Sequence, residues 1–328
     1  MAFTLRIATR RSALARAQAY QTGRLLAGRS GLAFTLVPMA TSGDLSPERA
    51  IGEFDVKGLF VDTIRAALLA GEVDLAVHSY KDLPSTPVDG LTIAAVPARE
   101  DPRDVLVTRH GHDLGELPAG ATVGTSSQRR RSQLLRARPR LRVRPVRGNL
   151  DTRLRKVADG ELDAVVVAFA GMRRLYVPEQ EGGVGALGLP LKAVALEAGQ
   201  VLPAAAQGAL AVECRAGDSD ALAACAHIDD DASRRGVRAE RSFLSHLGGG
   251  CLAPVGALAT LRSDGLLHLA GMLADPVSGE VLRRSHRGPA ERPEELGVAL
   301  AGQMIASGGA AMLDVIAATR DAHPGARP

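Results

Sequence analysis

Ser79-Tyr80-Lys81-Asp82 puts two hydroxyls, a cation and a carboxylate in four consecutive positions, directly after the apolar run Leu75-Ala76-Val77. Open α/β sheets bind ligands beyond the carboxyl ends of their strands, so this is a natural place for chemistry. An aspartate among cations stays ionised. It can stabilise a cationic intermediate or move protons on a cationic leaving group. A plain turn aspartate ahead of Pro84 would use the same residue. His78, next to Ala76 and Val77, reads as strand core.

Arginines supply the second kind of chemistry. Gly124-Thr125-Ser126-Ser127 leads into Arg129, Arg130 and Arg131, and Arg147-Gly148-Asn149 leads toward Arg153. Hydroxyls, helix-start amides and guanidinium forks together suit a carboxylate or phosphate. Arg10-Arg11-Ser12 repeats the theme, with Ser12 as the expected N-cap of a helix. Arg10, Arg129, Arg130, Arg147 and Arg153 are expected to line one cleft, with Arg155 and Lys156 on the surface. Between Arg129 and Lys156 there are twelve basic residues and a single acid, Asp151. Such a cluster repels itself unless a polyanion joins it; a well-capped helix with a solvated basic face is the bland alternative.

Cys251 follows Gly248-Gly249-Gly250, a setting that presents a thiol as a nucleophile or an attachment point. Cys214 and Cys225 read as small buried apolar residues. Three scattered cysteines make neither a disulfide framework nor a structural zinc site, and no metal is expected.

The elements that must position these groups alternate. Strands are expected at Leu5–Ala8, Phe34–Met39, Asp74–His78, Leu141–Val146 and Gly208–Cys214, with helices at Ser12–Leu26, Gly58–Leu69 and Ser233–Leu247. This is the rhythm of α/β units on a buried, largely parallel sheet. Leu69–Val77 is echoed by Ala158–Val166: helix, glycine, acidic turn, apolar strand. The echo fits two similar α/β domains with a cleft between them, or convergent βα grammar. After Pro254 the pattern changes to strands at Pro254–Leu261, Leu266–Leu273 and Glu280–His286 and a helix at Pro293–Ser307, a small α+β domain with an antiparallel sheet. The 328 residues are 46% apolar and 3% aromatic, with no Trp and a net charge of +4, which excludes a disordered chain. No run is expected to approach the ~20 apolar residues of a membrane span, and no apolar leader opens the sequence. A cytoplasmic protein is expected.

Many of these motifs together resemble the porphobilinogen deaminase (hydroxymethylbilane synthase) family. They are Leu5–Arg10, Lys57–Phe60, Ala76–Asp82, Glu100–Asp104, Val123–Arg130, Arg147–Asn149, Ala170–Leu175, Gln207–Ala209 and Gly249–Cys251. The resemblance implies two periplasmic-binding-protein-like α/β domains plus the small C-terminal domain. Domain 1 would span 1–97 and 198–217, domain 2 98–197 and domain 3 218–315, with a disordered tail at 316–328. It implies a transferase that condenses four porphobilinogen molecules on a dipyrromethane cofactor held by Cys251 through a thioether, then releases linear hydroxymethylbilane. Asp82 and Lys81 fall on catalytic positions. Ser79, Lys81, Asp82, Thr125, Ser127, Arg129 and Arg130 fall on cofactor contacts, and Arg10, Ser12, Arg147, Arg153 and Arg174 on substrate contacts. Residues 42–57, ending at Lys57, match a mobile loop. Tyr80 stands where Met or Leu is usual, and Ala206 where Gly is usual. A monomer without nucleic-acid or membrane partners is expected. A two-lobed binding protein for a polycarboxylate would use the same arginines without Asp82 or Cys251. A nucleic-acid binder would expose Arg129–Lys156 as a stripe and weaken sharply with salt.

Overall fold

The computed structural model describes residues 4–39, 56–176, 189–248 and 253–322, of which 56–60 and 320–322 by backbone alone. The chain forms two compact units. The first joins Met1–Glu100 to Ala209–Arg235, and the second joins Asp101–Gly208 to Gly236–Ala322.

In the first unit, β1 (Thr4–Arg10), α1 (Ala13–Ser30), β2 (Ala33–Met39), α2 (Val56–Leu69), β3 (Leu75–Ser79) and β4 (Leu91–Ala95) follow in order. A late strand, β10 in chain order (Leu210–Arg215), completes a sheet ordered β2-β1-β3-β10-β4. β1 runs parallel to β2 and β3, while β10 is antiparallel to both β3 and β4. The expected parallel sheet is therefore mixed. Leu5, Ile7, Leu75 and Val77 pack on one face, and Ala8, Ile64, Leu68 and Ala76 on the other. A strand covered on both faces reads as a continuous apolar run, as β3 does.

The second unit contains β5 (Asp104–Thr108), β6 (Thr122–Gly124), α3 (Gln128–Ala137), β7 (Arg142–Arg144), α4 (Leu150–Ala158), β8 (Ala164–Ala168), α5 (Phe169–Leu175) and β9 (Lys192–Leu196). Their order is β7-β6-β8-β5-β9, with β5 antiparallel to β8 and β9. This is the arrangement of the first sheet, with β5 in the place of β10. The echoed segments occupy equivalent places. Gly71 and Gly160 both turn at positive φ, +72° and +81°, which glycine adopts without a Cβ penalty. Asp74 then accepts the Arg6 N–H at 2.8 Å, and Asp163 accepts the Thr122 N–H at 2.7 Å.

The rest of the second unit is antiparallel. Helix α7 (Asp231–Leu247), which follows the first unit's short α6 (Ser219–Ala226) and begins within that unit, leads into β11 (Val255–Leu261), β12 (Leu266–Ala274) and β13 (Val281–Pro289), ordered in sequence. Phe243, Leu267, Leu269, Leu300 and Met304 fill the core under this sheet. Burying each such side chain is worth roughly 1.5–3 kcal/mol. A Cβ on Gly271 would lie 2.6 Å from Phe243 Cζ, so the strand needs glycine where the ring packs.

Three expectations near the end are corrected. The helix expected at Pro293–Ser307 is instead α8 (Pro293–Met304) followed by α9 (Ala310–Ala322), broken where Gly308 turns to φ +103°. Residues 316–322, expected in a frayed tail, lie in α9, where Met312 and Ile316 join the apolar core. Pro293–Thr319 is also long and apolar enough to span a membrane, contrary to the expectation from the sequence. Leu296, Leu300 and Met304 nevertheless pack against the third sheet, as in the core helix of a globular domain.

Candidate functional site

In the first unit, β3 ends in a single 3-10 turn, Tyr80–Asp82. Two backbone bonds fix it: Tyr80 N–H donates to Ala209 O at 3.1 Å and Leu83 N–H to Tyr80 O at 3.2 Å. Tyr80 is buried, Lys81 half-buried and Asp82 exposed. The Ser79 hydroxyl sits 3.0 Å from Nε2 and 3.1 Å from Oε1 of Gln18, a buried residue of α1. Ser12 caps α1 as expected, accepting the Ala15 N–H at 3.3 Å, and half-buried Arg10 ends the adjoining β1.

Beneath the turn lies a buried charge cluster. Arg65 of α2 donates to both carboxylate oxygens of Glu213 on β10, at 2.9–3.1 Å. His78 Nε2 is 3.3 Å from Glu213 Oε2. Burial alone would raise the Glu213 carboxyl, but His78 and Arg65 outweigh it and hold it below the ordinary range. His78 is buried at 9% exposure, in line with its reading as core.

In the second unit, β6 ends at Gly124, where a Cβ would lie 2.6 Å from Leu162 Cδ1. Thr125 is buried, its Oγ1 accepting the Ser127 N–H at 3.2 Å, and Ser127 caps α3 by accepting the Arg130 N–H at 3.4 Å. Arg129 and Arg130 follow in the first turn of α3. Both are buried against Asp104, at 2.9 and 2.7 Å, and Asp104 is 0% exposed. Arg129 also donates to Leu202 O and Arg130 to Val166 O, while Gln207 Nε2 donates to Asp104 at 2.8 Å. Burial would raise the Asp104 carboxyl; the two guanidinium charges reverse that and hold it well below its usual range.

One carboxylate thus faces two buried guanidinium groups, and Arg130 Nε is buried with no acceptor among the described residues. Arg153 lies close enough that burial and the Arg130 charge both lower its pKa, and its Nε donates to Gly148 O at 2.8 Å. Arg174 donates to Gly208 O at 2.6 Å, and Arg147 is exposed. An uncompensated buried cation calls for an anion, and a ligand carboxylate meets that demand. Sequence reasoning missed Asp104 as counter-ion, Gln207 as its third partner and Gln18 beneath Ser79. Pairing across a sheet leaves no local signal, although the acid of the Asp101–Asp104 motif was visible.

Burial pushes the Cys214 thiol up to about 11 and the Cys225 thiol up to about 12, so both are inert packing residues. Cys251, the Lys57 side chain and the expected loop at 42–57, apart from the backbone of its last two residues in α2, lie outside the described residues.

Residues 5–223 match the family model described as porphobilinogen deaminase, dipyromethane cofactor binding domain, and residues 235–306 match that of the porphobilinogen deaminase C-terminal domain. The porphobilinogen deaminase of Nocardia farcinica is 49% identical over 98% of this chain and 91% of its own length. That of a Roseiflexus species is 45% identical over 94% and 98%, and that of Mycobacterium tuberculosis 46% identical over 93% and 96%. Among solved structures, a periplasmic substrate-binding protein of an ABC transporter from Coxiella burnetii aligns with a TM-score of 0.41. That likeness has 12% identity over 68% of this chain and 91% of the other.

Proposed function

Since the chain belongs to the porphobilinogen deaminase family, we propose how its own residues carry out that family's reaction. The enzyme is a transferase that joins porphobilinogen units head to tail with loss of ammonia, using a dipyrromethane cofactor. Four units would be added before water releases linear hydroxymethylbilane, in the cytoplasm and by a monomer.

The observation that carries the reading is the cation excess around Asp104. Arg129 and Arg130 share the single carboxylate of Asp104, Arg153 adds a third positive charge close enough to act on Arg130, and the buried Nε of Arg130 has no acceptor among the described residues. The acetate and propionate groups of a dipyrromethane fit that donor set. Thr125 and Ser127, at the start of α3, would add hydroxyl and amide donors, as would Ser79 and Lys81 on the first unit. When bound through the Cys251 sulfur, the dipyrromethane supplies the nucleophilic pyrrole end onto which units are added.

Asp82 would act on the incoming porphobilinogen. Its carboxylate would stabilise positive charge on the pyrrole as ammonia leaves, and would accept the proton lost after the new bond forms. Lys81 beside it would keep Asp82 ionised and hold a ligand carboxylate. Arg10, Ser12, Arg147, Arg153 and Arg174 would bind substrate carboxylates.

Intact-mass measurement on freshly purified active protein tests the attachment. An added mass of roughly 420 Da, for two substituted pyrroles, is expected on the wild type and absent from Cys251→Ser. Cys214→Ser and Cys225→Ser should retain it. A bare wild-type chain with full activity would exclude the covalent cofactor.

A further inference from the structure

Asp151, the single acid in the basic stretch Arg129–Lys156, has a partner that none of the roles above uses. It lies in the first turn of α4 and accepts a hydrogen bond from the hydroxyl of Tyr176 through Oδ1. Tyr176 closes α5, its N–H bonded to Met172 O at 2.7 Å, and is 8% exposed. Burial and the Asp151 carboxylate both oppose loss of the phenol proton, while the nearby Arg155 charge only partly offsets them.

The bond fastens the start of one arginine-bearing helix to the end of another. Arg153 follows Asp151 by two residues on α4, and Arg174 precedes Tyr176 by two on α5. Each of these arginines gives one donor to a backbone carbonyl, Gly148 O or Gly208 O, and so is already oriented. Their mutual spacing is then set by how α4 and α5 are held together. A phenol donating to a carboxylate in a half-buried place is a strong, directional tie. We propose that Asp151 and Tyr176 are positioning residues that fix the spacing of Arg153 and Arg174, and through it the grip on substrate carboxylates. The inference rests on the reading of those two arginines as substrate ligands.

The test uses the cofactor-loaded enzyme as Tyr176→Phe, Asp151→Asn and the double variant, with Arg153→Leu and Arg174→Leu alongside. Tyr176→Phe removes only an oxygen and keeps the packed ring. Each tether variant should raise KM for porphobilinogen about threefold to tenfold with a smaller change in kcat, and should alter the mass ladder of enzyme-bound intermediates. The double variant should match the singles, because the two groups act as one unit. The chain has three tyrosines and no Trp, so tyrosinate absorbance can follow the pair directly. One tyrosine should resist ionisation in the wild type, and titrate more readily in Asp151→Asn. Wild-type KM and ladder in Tyr176→Phe, with both arginine variants impaired, would reduce the pair to a structural contact and overturn the proposal. Wild-type behaviour of the arginine variants themselves would overturn the substrate-ligand reading, and the tether with it.

Discussion

The two five-stranded sheets share one plan and part company at the strand ends. After β3 the chain makes a three-residue turn that carries Lys81 and Asp82. At the same place after β8 it enters α5 directly through Phe169, Ala170 and Gly171. The anchoring is nonetheless the same: Tyr80 N–H donates to Ala209 O at 3.1 Å, and Phe169 N–H to Arg103 O at 3.0 Å. Each sheet also buries an acid on its antiparallel strand. Glu213 faces Arg65 and His78 in the first, and Asp104 faces Arg129 and Arg130 in the second. A common scaffold has thus been given an exposed acid on one copy and a buried cation excess on the other.

The largest effect should come from the buried acids. Asp104→Ala leaves two buried guanidiniums without an anion and should cost about 3–5 kcal/mol, read from urea unfolding. Glu213→Gln strips one guanidinium and keeps an acceptor oxygen, so roughly 2–3 kcal/mol is expected. Equal costs would mean that the two charge clusters are equivalent after all. Both carboxyls are depressed in the folded state. Their contribution is therefore fully present above about pH 4, the unfolded range, and is lost as pH falls toward the folded values. Stability measured against pH should accordingly fall less steeply below about pH 4 in either variant than in the wild type.

Next in size is the exposed acid. Asp82→Asn keeps shape and hydrogen bonding but removes charge and base, and should lower turnover at least ~100-fold; Asp82→Glu should lose less. Thermal midpoints should stay put, since Asp82 sits exposed on its turn. Near-normal turnover by the Asn variant, with its cofactor confirmed by mass, would move catalysis away from the first unit.

The smallest effect concerns the link between the copies. Ala206, just ahead of β10, has φ +61°, and no other non-glycine among the described residues has positive φ. Its N–H donates to buried Glu240 Oε2 at 2.6 Å, which holds the strained backbone in place. Ala206→Gly should leave stability within about 0.5 kcal/mol of the wild type in a denaturant titration, because relief of left-handed strain is offset by the extra freedom of the unfolded chain and the loss of a fully buried methyl.

Much of this was legible in the sequence. The paired glycine and aspartate at Gly71-Asp74 and Gly160-Asp163 announced the repeated unit, and Ser12 announced its helix. The antiparallel course of β5 and β10 was not legible, because a strand buried on both faces has the same apolar run in either direction. Nor was the fate of Arg129 and Arg130. Arginine pattern gives charge, but only the fold brings in Asp104 to take up the forks.

The late arrival of β10 bears on how the protein is made. Synthesis runs from the amino terminus, and the first unit's sheet lacks its fourth strand until Leu210–Arg215 emerges, after all of Asp101–Gly208. The second unit's sheet receives its own antiparallel strand first, as β5, and is complete once β9 has been translated. The five-stranded sheet encoded second is therefore the first that can be completed. Meanwhile β3, apolar on both faces, waits with an open edge, the kind of unpaired strand that recruits other chains. Nascent chains stopped between residues 100 and 209 should be the ones most dependent on chaperones.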